Sequence, residues 1–191
     1  MLANRTQGCV RSGTKMADFK SFLPTLLRFE GGYVNDLADP GGETNKGITM
    51  NTFRGCAQKL LGLAPTAANL RALTDAQAAV IYKEIFWDPI GGDAMPLQEL
   101  ANIVCDFYVN AGTHATTLLQ QVLNTLGQAI AVDGKIGPGT LAAVAAVDSK
   151  ELYRRFKQGR IAYYRNLAAR KPAMKKFLKG WLNRVNAFPD L

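Results

Sequence analysis

A chain of 191 residues can bury one good core, or two small ones packed together, and 48% apolar with 20% charged residues excludes a disordered polymer. No apolar run reaches the roughly 18 residues of a membrane span. The charge is lopsided: residues 150–191 carry 12 Lys+Arg against 2 Asp+Glu, a net of +10, while residues 1–149 carry 11 against 13. Such a basic third either seeks a polyanion or is simply a solvated helix face.

Residues 1–16 read as a flexible tail. Arg5, Arg11 and Lys15 are not followed by an apolar stretch before Met16, so no secretory leader is expected. Phe19, Phe22, Leu23, Leu26 and Leu27 trace the stripe of a buried helix face. With Ser21 as its cap, Pro24 falls in the first turn, where a missing N–H is harmless. Gly31-Gly32 must end this helix, which places Glu30 in its last turn. Residues 31–49 are dense in Gly, Asp, Asn and Pro and predict a tight hairpin or an ordered loop.

Helical pattern resumes over residues 51–61, and Thr74-Asp75-Ala76-Gln77 is a capping-box start for a helix reaching Trp87. Further helices are predicted over 96–110, closed by Gly112, and over 113–126. After a Gly-rich turn at 133–139, Pro138 opens another, Ser149 caps a long one to Arg170, and a last follows Pro172. The fold class is therefore mainly α, with seven or eight helices and at most one small hairpin.

The inventory of reactive side chains is short. His114 is the only histidine, and Cys9, Cys56 and Cys105 have no metal-like spacing, so a metal-dependent hydrolase is not expected. Cys105 lies mid-helix between Val104 and Asp106, unlike the thiol of a Cys–His hydrolase, and both it and Cys56 read as buried, reduced thiols. No nucleophile elbow, phosphate loop or dinucleotide fingerprint occurs. Carboxylates remain. Glu30, at the negative end of an apolar helix, has surroundings that raise a carboxyl pKa, as a glycosidase general acid requires. Asp36, Asp39 and Glu43 follow in the loop, and two carboxylates flanking a sugar bond are the usual apparatus of glycoside hydrolysis.

The run Glu30-Gly31-Gly32-Tyr33-Val34-Asn35-Asp36, continued by Asp39-Pro40-Gly41-Gly42-Glu43-Thr44-Asn45-Lys46-Gly47-Ile48-Thr49, closely resembles the signature of the glycosyl hydrolase 108 family of bacterial and phage N-acetylmuramidases. Asp106-Phe107-Tyr108-Val109-Asn110-Ala111-Gly112 is similar to a second motif of that family. Asp133-Gly134-Lys135-Ile136-Gly137-Pro138-Gly139-Thr140 resembles its predicted peptidoglycan-binding region, or is only a helix-initiating turn. The likeness spans residues 17–186.

The resemblance implies a lysozyme-like α+β fold, with 17–112 as a catalytic region and 113–188 as a peptidoglycan-binding one, packed into one unit. It implies hydrolysis of the β-1,4 bond between N-acetylmuramic acid and N-acetylglucosamine, with Glu30 as the acid. Phage-type lysozymes show a similar Glu, Asp and Thr spacing. Here eight residues separate Glu30 from Asp39, marking Asp39 as the second carboxylate, but four separate Asp39 from Thr44, one fewer than that pattern. Thr49 rivals Thr44 for positioning water. Tyr33, Asp36, Thr44, Thr49 and Asn110 form the candidate substrate-binding set, though Tyr33 equally suits closing the core and Asn110 capping its helix. Trp87 and Trp181 are expected in the core.

No metal or organic cofactor is expected. Peptidoglycan is the expected partner, with anionic envelope polymers or a membrane surface against the basic C-terminal helices, no nucleic acid, and a monomeric state. The enzyme is expected to be made in the cytoplasm and to reach the wall through a holin or another assisted route. A lytic transglycosylase and a non-catalytic wall-binding or export-assisting protein are the alternatives.

Overall fold

The computed structural model describes residues 16–33 and 43–191. Among these the chain is mainly α with one two-stranded hairpin, the class read from the sequence. The first helix, α1 (Phe19–Glu30), buries Phe19, Phe22 and Leu26 and stops at Gly31, whose φ of 70° suits a residue without a Cβ. Its cap is Asp18 rather than Ser21: the Asp18 carboxylate accepts from Lys20 N, while Ser21 is already helical and donates its hydroxyl to Asp18. Pro24 consequently lies in the second turn, where the helix forgoes one backbone bond.

Among the described residues of the turn-rich segment lies the predicted hairpin, as β1 (Thr44–Asn45) and β2 (Ile48–Thr49), pairing Thr44 with Thr49 and Asn45 with Ile48. Lys46 (φ 49°) and Gly47 (φ 74°) are both left-handed, the requirement of the tight turn whose twist matches paired strands. Helix α2 (Met50–Leu61) follows at once, with Thr49 as its cap. A five-residue helix, α3 (Ala67–Arg71), escaped the sequence reading because one turn is too short to show a period. It anchors the hairpin: the buried Asn45 side chain donates to the carbonyls of Leu70 and Arg71 at 2.9 and 3.0 Å.

Helix α4 (Asp75–Tyr82) begins with the capping box expected at Thr74 and Gln77. Its continuation, residues 83–87, is a π turn rather than α-helix, and Trp87 ends fully buried with its indole N–H donating to Asp93 at 2.6 Å. Helix α5 (Gln98–Ala111) is buried on nearly all sides, from Leu100 to Phe107, and packs against α6 (Thr113–Thr125) and α8 (Ser149–Arg170). Between them comes α7 (Pro138–Ala146), opened by Pro138 as predicted. Asp148, not Ser149, caps α8 through Glu151 N, leaving Ser149 as the first helical residue. A 3-10 segment from Pro172 to Phe177 leads into α9 (Leu178–Asn186), which lies along α8. Cys56 and Cys105 are buried free thiols, whereas Cys9 falls outside the described residues.

The basic third is less uniform than its composition suggests. Arg160 is completely buried, and the Lys157 ammonium is buried where it donates to the carbonyls of Phe188 and Pro189 and pairs with Asp190 at 2.7 Å. Arg154 and Arg155 flank Glu151 at 2.9 and 2.7 Å. Lys157 and Arg160 thus hold the fold together, while Arg165, Arg170, Lys171, Lys175, Lys176 and Lys179 remain exposed.

Candidate active site

Glu30, the final residue of α1, is only 13% exposed at its side chain. Two walls confine it. On one side the Arg184 guanidinium, from α9, donates through Nη2 to Glu30 Oε1. On the other lie the hairpin turn and Tyr82 of α4. The Tyr82 hydroxyl donates to the Lys46 carbonyl at 2.7 Å. A Cβ at Gly47 would collide with Glu30 Oε2 and the Tyr82 hydroxyl, so the turn approaches the carboxylate as closely as only glycine allows. Burial, with the neighbouring Glu30 charge second, pushes the Tyr82 hydroxyl far above the usual phenol range, so it stays a neutral donor.

Behind Arg184 stands a buried ionic chain. Its Nε donates to both oxygens of Asp106 at 3.0 and 3.1 Å, and its Nη2 to Asp106 Oδ1 at 2.6 Å. Asp106 lies on α5 with no exposure, and its Oδ2 also accepts from Arg160 Nη2 at 2.6 Å. Arg160 Nε and Nη1 have no hydrogen-bond partner, but the guanidinium lies 5.0 Å from the Phe107 ring centroid and 5.6 Å from that of Tyr164. Burial opposes the Arg184 charge, but hydrogen bonds and attraction from Asp106 and Glu30 outweigh it and raise its pKa. Arg184, Arg160 and Tyr82 were not singled out by the sequence. The one available signal was Asp106 itself, a carboxylate inside an apolar helix, which demands a cation from elsewhere.

The other candidates disperse around this centre. Tyr33 is 40% exposed, so it does not close the core. Its hydroxyl accepts from Arg71 Nε at 2.9 Å, the Arg71 guanidinium covers its ring, and Arg71 also pairs with Glu43 at 2.6 Å. Thr44 stands opposite Thr49 on the hairpin. The Thr49 hydroxyl accepts from Thr52 N at 3.2 Å as the α2 cap. Asn110 donates to the Asp106 carbonyl at 2.7 Å, one turn back within α5, while the helix is capped by Gly112. Asp36 and Asp39 lie outside the described residues.

Trp87 is buried in the core, and Trp181 is half-buried, stacked on Tyr164 with ring centroids 5.0 Å apart. The turn at 133–139 is fastened by buried Gln120, which accepts from Gly134 N at 2.8 Å and donates to Asp133 Oδ1 at 2.8 Å and the Lys135 carbonyl at 3.0 Å. An open cavity of about 320 Å³ lies there, lined in part by Ile130, Lys135 and Thr140. Among the described residues no cluster of His, Cys, Asp or Glu could hold a metal, and no helix is long and apolar enough to cross a membrane.

Both parts of the chain resemble known proteins. Residues 23–112 match the glycosyl hydrolase 108 family, and residues 114–186 match the predicted peptidoglycan domain. A solved structure titled "Structure of Brucella abortus SagA" is similar to this chain at 32% identity with a TM-score of 0.73, over 89% of this chain and 90% of that one. No curated protein matches. The chain belongs to the glycosyl hydrolase 108 family: it is a glycoside hydrolase whose C-terminal peptidoglycan domain makes peptidoglycan its partner.

Proposed function

We propose that this protein is an N-acetylmuramidase, hydrolysing the β-1,4 bond between N-acetylmuramic acid and N-acetylglucosamine with Glu30 as general acid. What carries the reading is the placement of Glu30: a largely buried carboxyl group at a helix end, walled by glycine backbone, a neutral tyrosine and the Arg184 guanidinium, within the region matched as a glycosyl hydrolase. Glu30 protonates the leaving glycosidic oxygen, and a second carboxylate activates water or stabilises the oxocarbenium-like state. Of the loop carboxylates, Glu43 already serves as the partner of Arg71. We assign the second role to Asp39, on its eight-residue separation from Glu30, with Asp36 as its rival, and substrate contacts to Tyr33, Asp36, Thr44, Thr49 and Asn110.

Glu30→Gln keeps the size of the side chain but has no proton to give, so turnover of purified sacculi is expected to drop by about 10²-fold or more. Half the parental rate in a folded Glu30→Gln protein would end the assignment. Asp39→Asn is expected to lose most activity with its melting temperature nearly unchanged; an inactive Asp36→Asn beside an active Asp39→Asn would move the second role to Asp36. Mass spectrometry of the products separates a reducing end, left by hydrolysis, from the 1,6-anhydro end left by a transglycosylase.

A further inference from the structure

Arg184 stands 154 residues from Glu30 in sequence, inside the region matched by the peptidoglycan domain, and yet its guanidinium is the direct partner of the Glu30 carboxylate. A long, flexible side chain holds a fixed place only when its other contacts constrain it. Those contacts are present. Three hydrogen bonds to Asp106 orient the guanidinium, Asp106 is held from its other side by Arg160, and the Arg184 side chain is 16% exposed. Glu30, Arg184, Asp106 and Arg160 thus form a row of alternating charge, running from the surface of the hydrolase region into the interface of α5, α8 and α9. Glu30 Oε1 is committed to this row, which leaves Oε2 beside the hairpin turn.

We infer that Arg184 is a positioning residue for Glu30, carried into the catalytic centre by the C-terminal region, so that the peptidoglycan domain completes the acid site as well as serving as a wall-binding module. The inference rests on the reading of Glu30 as the acid. Two consequences follow. The guanidinium fixes the direction in which the carboxyl group points, and an ångström of misplacement at a reacting group costs about 10²-fold in rate. Its positive charge also favours the carboxylate left after the proton has gone. Among the described residues, the groups facing Glu30 are Arg184 of α9, the neutral Tyr82 hydroxyl of α4 and, through Arg184, Asp106 of α5. Removing Arg184 takes away the one cation among them and leaves the negative Asp106 behind.

The test measures kcat and KM on soluble glycan oligomers for the full-length protein and its Arg184→Lys, Arg184→Met and Glu30→Gln variants. Arg184→Met is expected to lower kcat by about 10²-fold with KM within a few-fold. Arg184→Lys keeps the charge without the fork and should recover part of the rate. It also serves as the folded comparison should Arg184→Met unfold, with a kcat below the parent's at an unchanged KM. Parental kcat in either folded arginine variant, or a loss carried by KM rather than kcat with no recovery by lysine, would overturn the inference while an inactive Glu30→Gln leaves the acid assignment standing. An active Glu30→Gln would remove both.

Discussion

Asp106 and Arg160 form an ion pair with no exposure on either side chain, joined at 2.6 Å between α5 and α8. Two ions taken out of water are held by attraction to one another and by their hydrogen bonds, so deleting one partner strands the other. Asp106 also fastens Arg184, which makes it the meeting point of the two regions matched to different families.

Asp106→Ala is therefore expected to lower stability by about 3–5 kcal/mol, leaving the Arg160 charge buried without its carboxylate. Denaturant unfolding of parent and variant measures the difference. The double variant Asp106→Leu with Arg160→Met, which removes both charges, should regain much of the loss. A single variant as stable as the parent would mean that water reaches the pair.

At the hairpin turn, Gly47→Ala should be costly twice over. The left-handed backbone at φ 74° disfavours a Cβ by about 1–2 kcal/mol, and that Cβ would collide with Glu30 and Tyr82. Activity is expected to fall at least about 10-fold, since the reacting carboxyl group must shift. Lys46→Asn at the neighbouring left-handed position supplies the Asn-Gly pair such turns favour and loses the partly exposed ion pair to Asp75. Its stability should stay within about 0.5 kcal/mol of the parent. Thermal unfolding and sacculus turnover, measured together, check both. Equal effects at the two positions would dismiss the close approach of Gly47 to Glu30 as the cause.

The basic face gives a prediction in salt. Lys175, Lys176 and Lys179 are exposed, so reversing all three to Glu should weaken pelleting with sacculi at low ionic strength. The difference from the parent should close as salt rises and screening shortens to about 8 Å. Cleavage of a short soluble oligosaccharide should remain within a few-fold of the parent. Lys157 does not belong in that set, because its ammonium ties the 188–190 segment to α8; Lys157→Glu is expected to destabilise the fold. Undiminished pelleting of the triple variant at low salt would identify these lysines as solvated surface only.

Much of the scaffold around Glu30 was readable because it depends on neighbours in sequence. The apolar stripe of α1, Gly31 at its end, the Thr74 capping box and the Pro138 start are all settled within a turn or two of chain. Where sequence reading slipped, it slipped locally as well. Ser21 and Ser149 each follow an aspartate that caps better placed amides, and α3 is too short to announce itself.

The sequence by itself determined that Glu30 would end a helix before a glycine-rich turn, because backbone preferences and glycine spacing act over a few residues. Only the tertiary structure decided what faces that carboxyl group. Arg184 meets Glu30 across 154 positions and Asp106 across 78, and twelve basic residues in the last 42 offer no local sign of which one points inward. Charged side chains pair with whatever the packing of α1, α5, α8 and α9 brings within a few ångströms. That choice belongs to the whole core, because a buried carboxylate such as Asp106 is tolerable only where the fold delivers its cations.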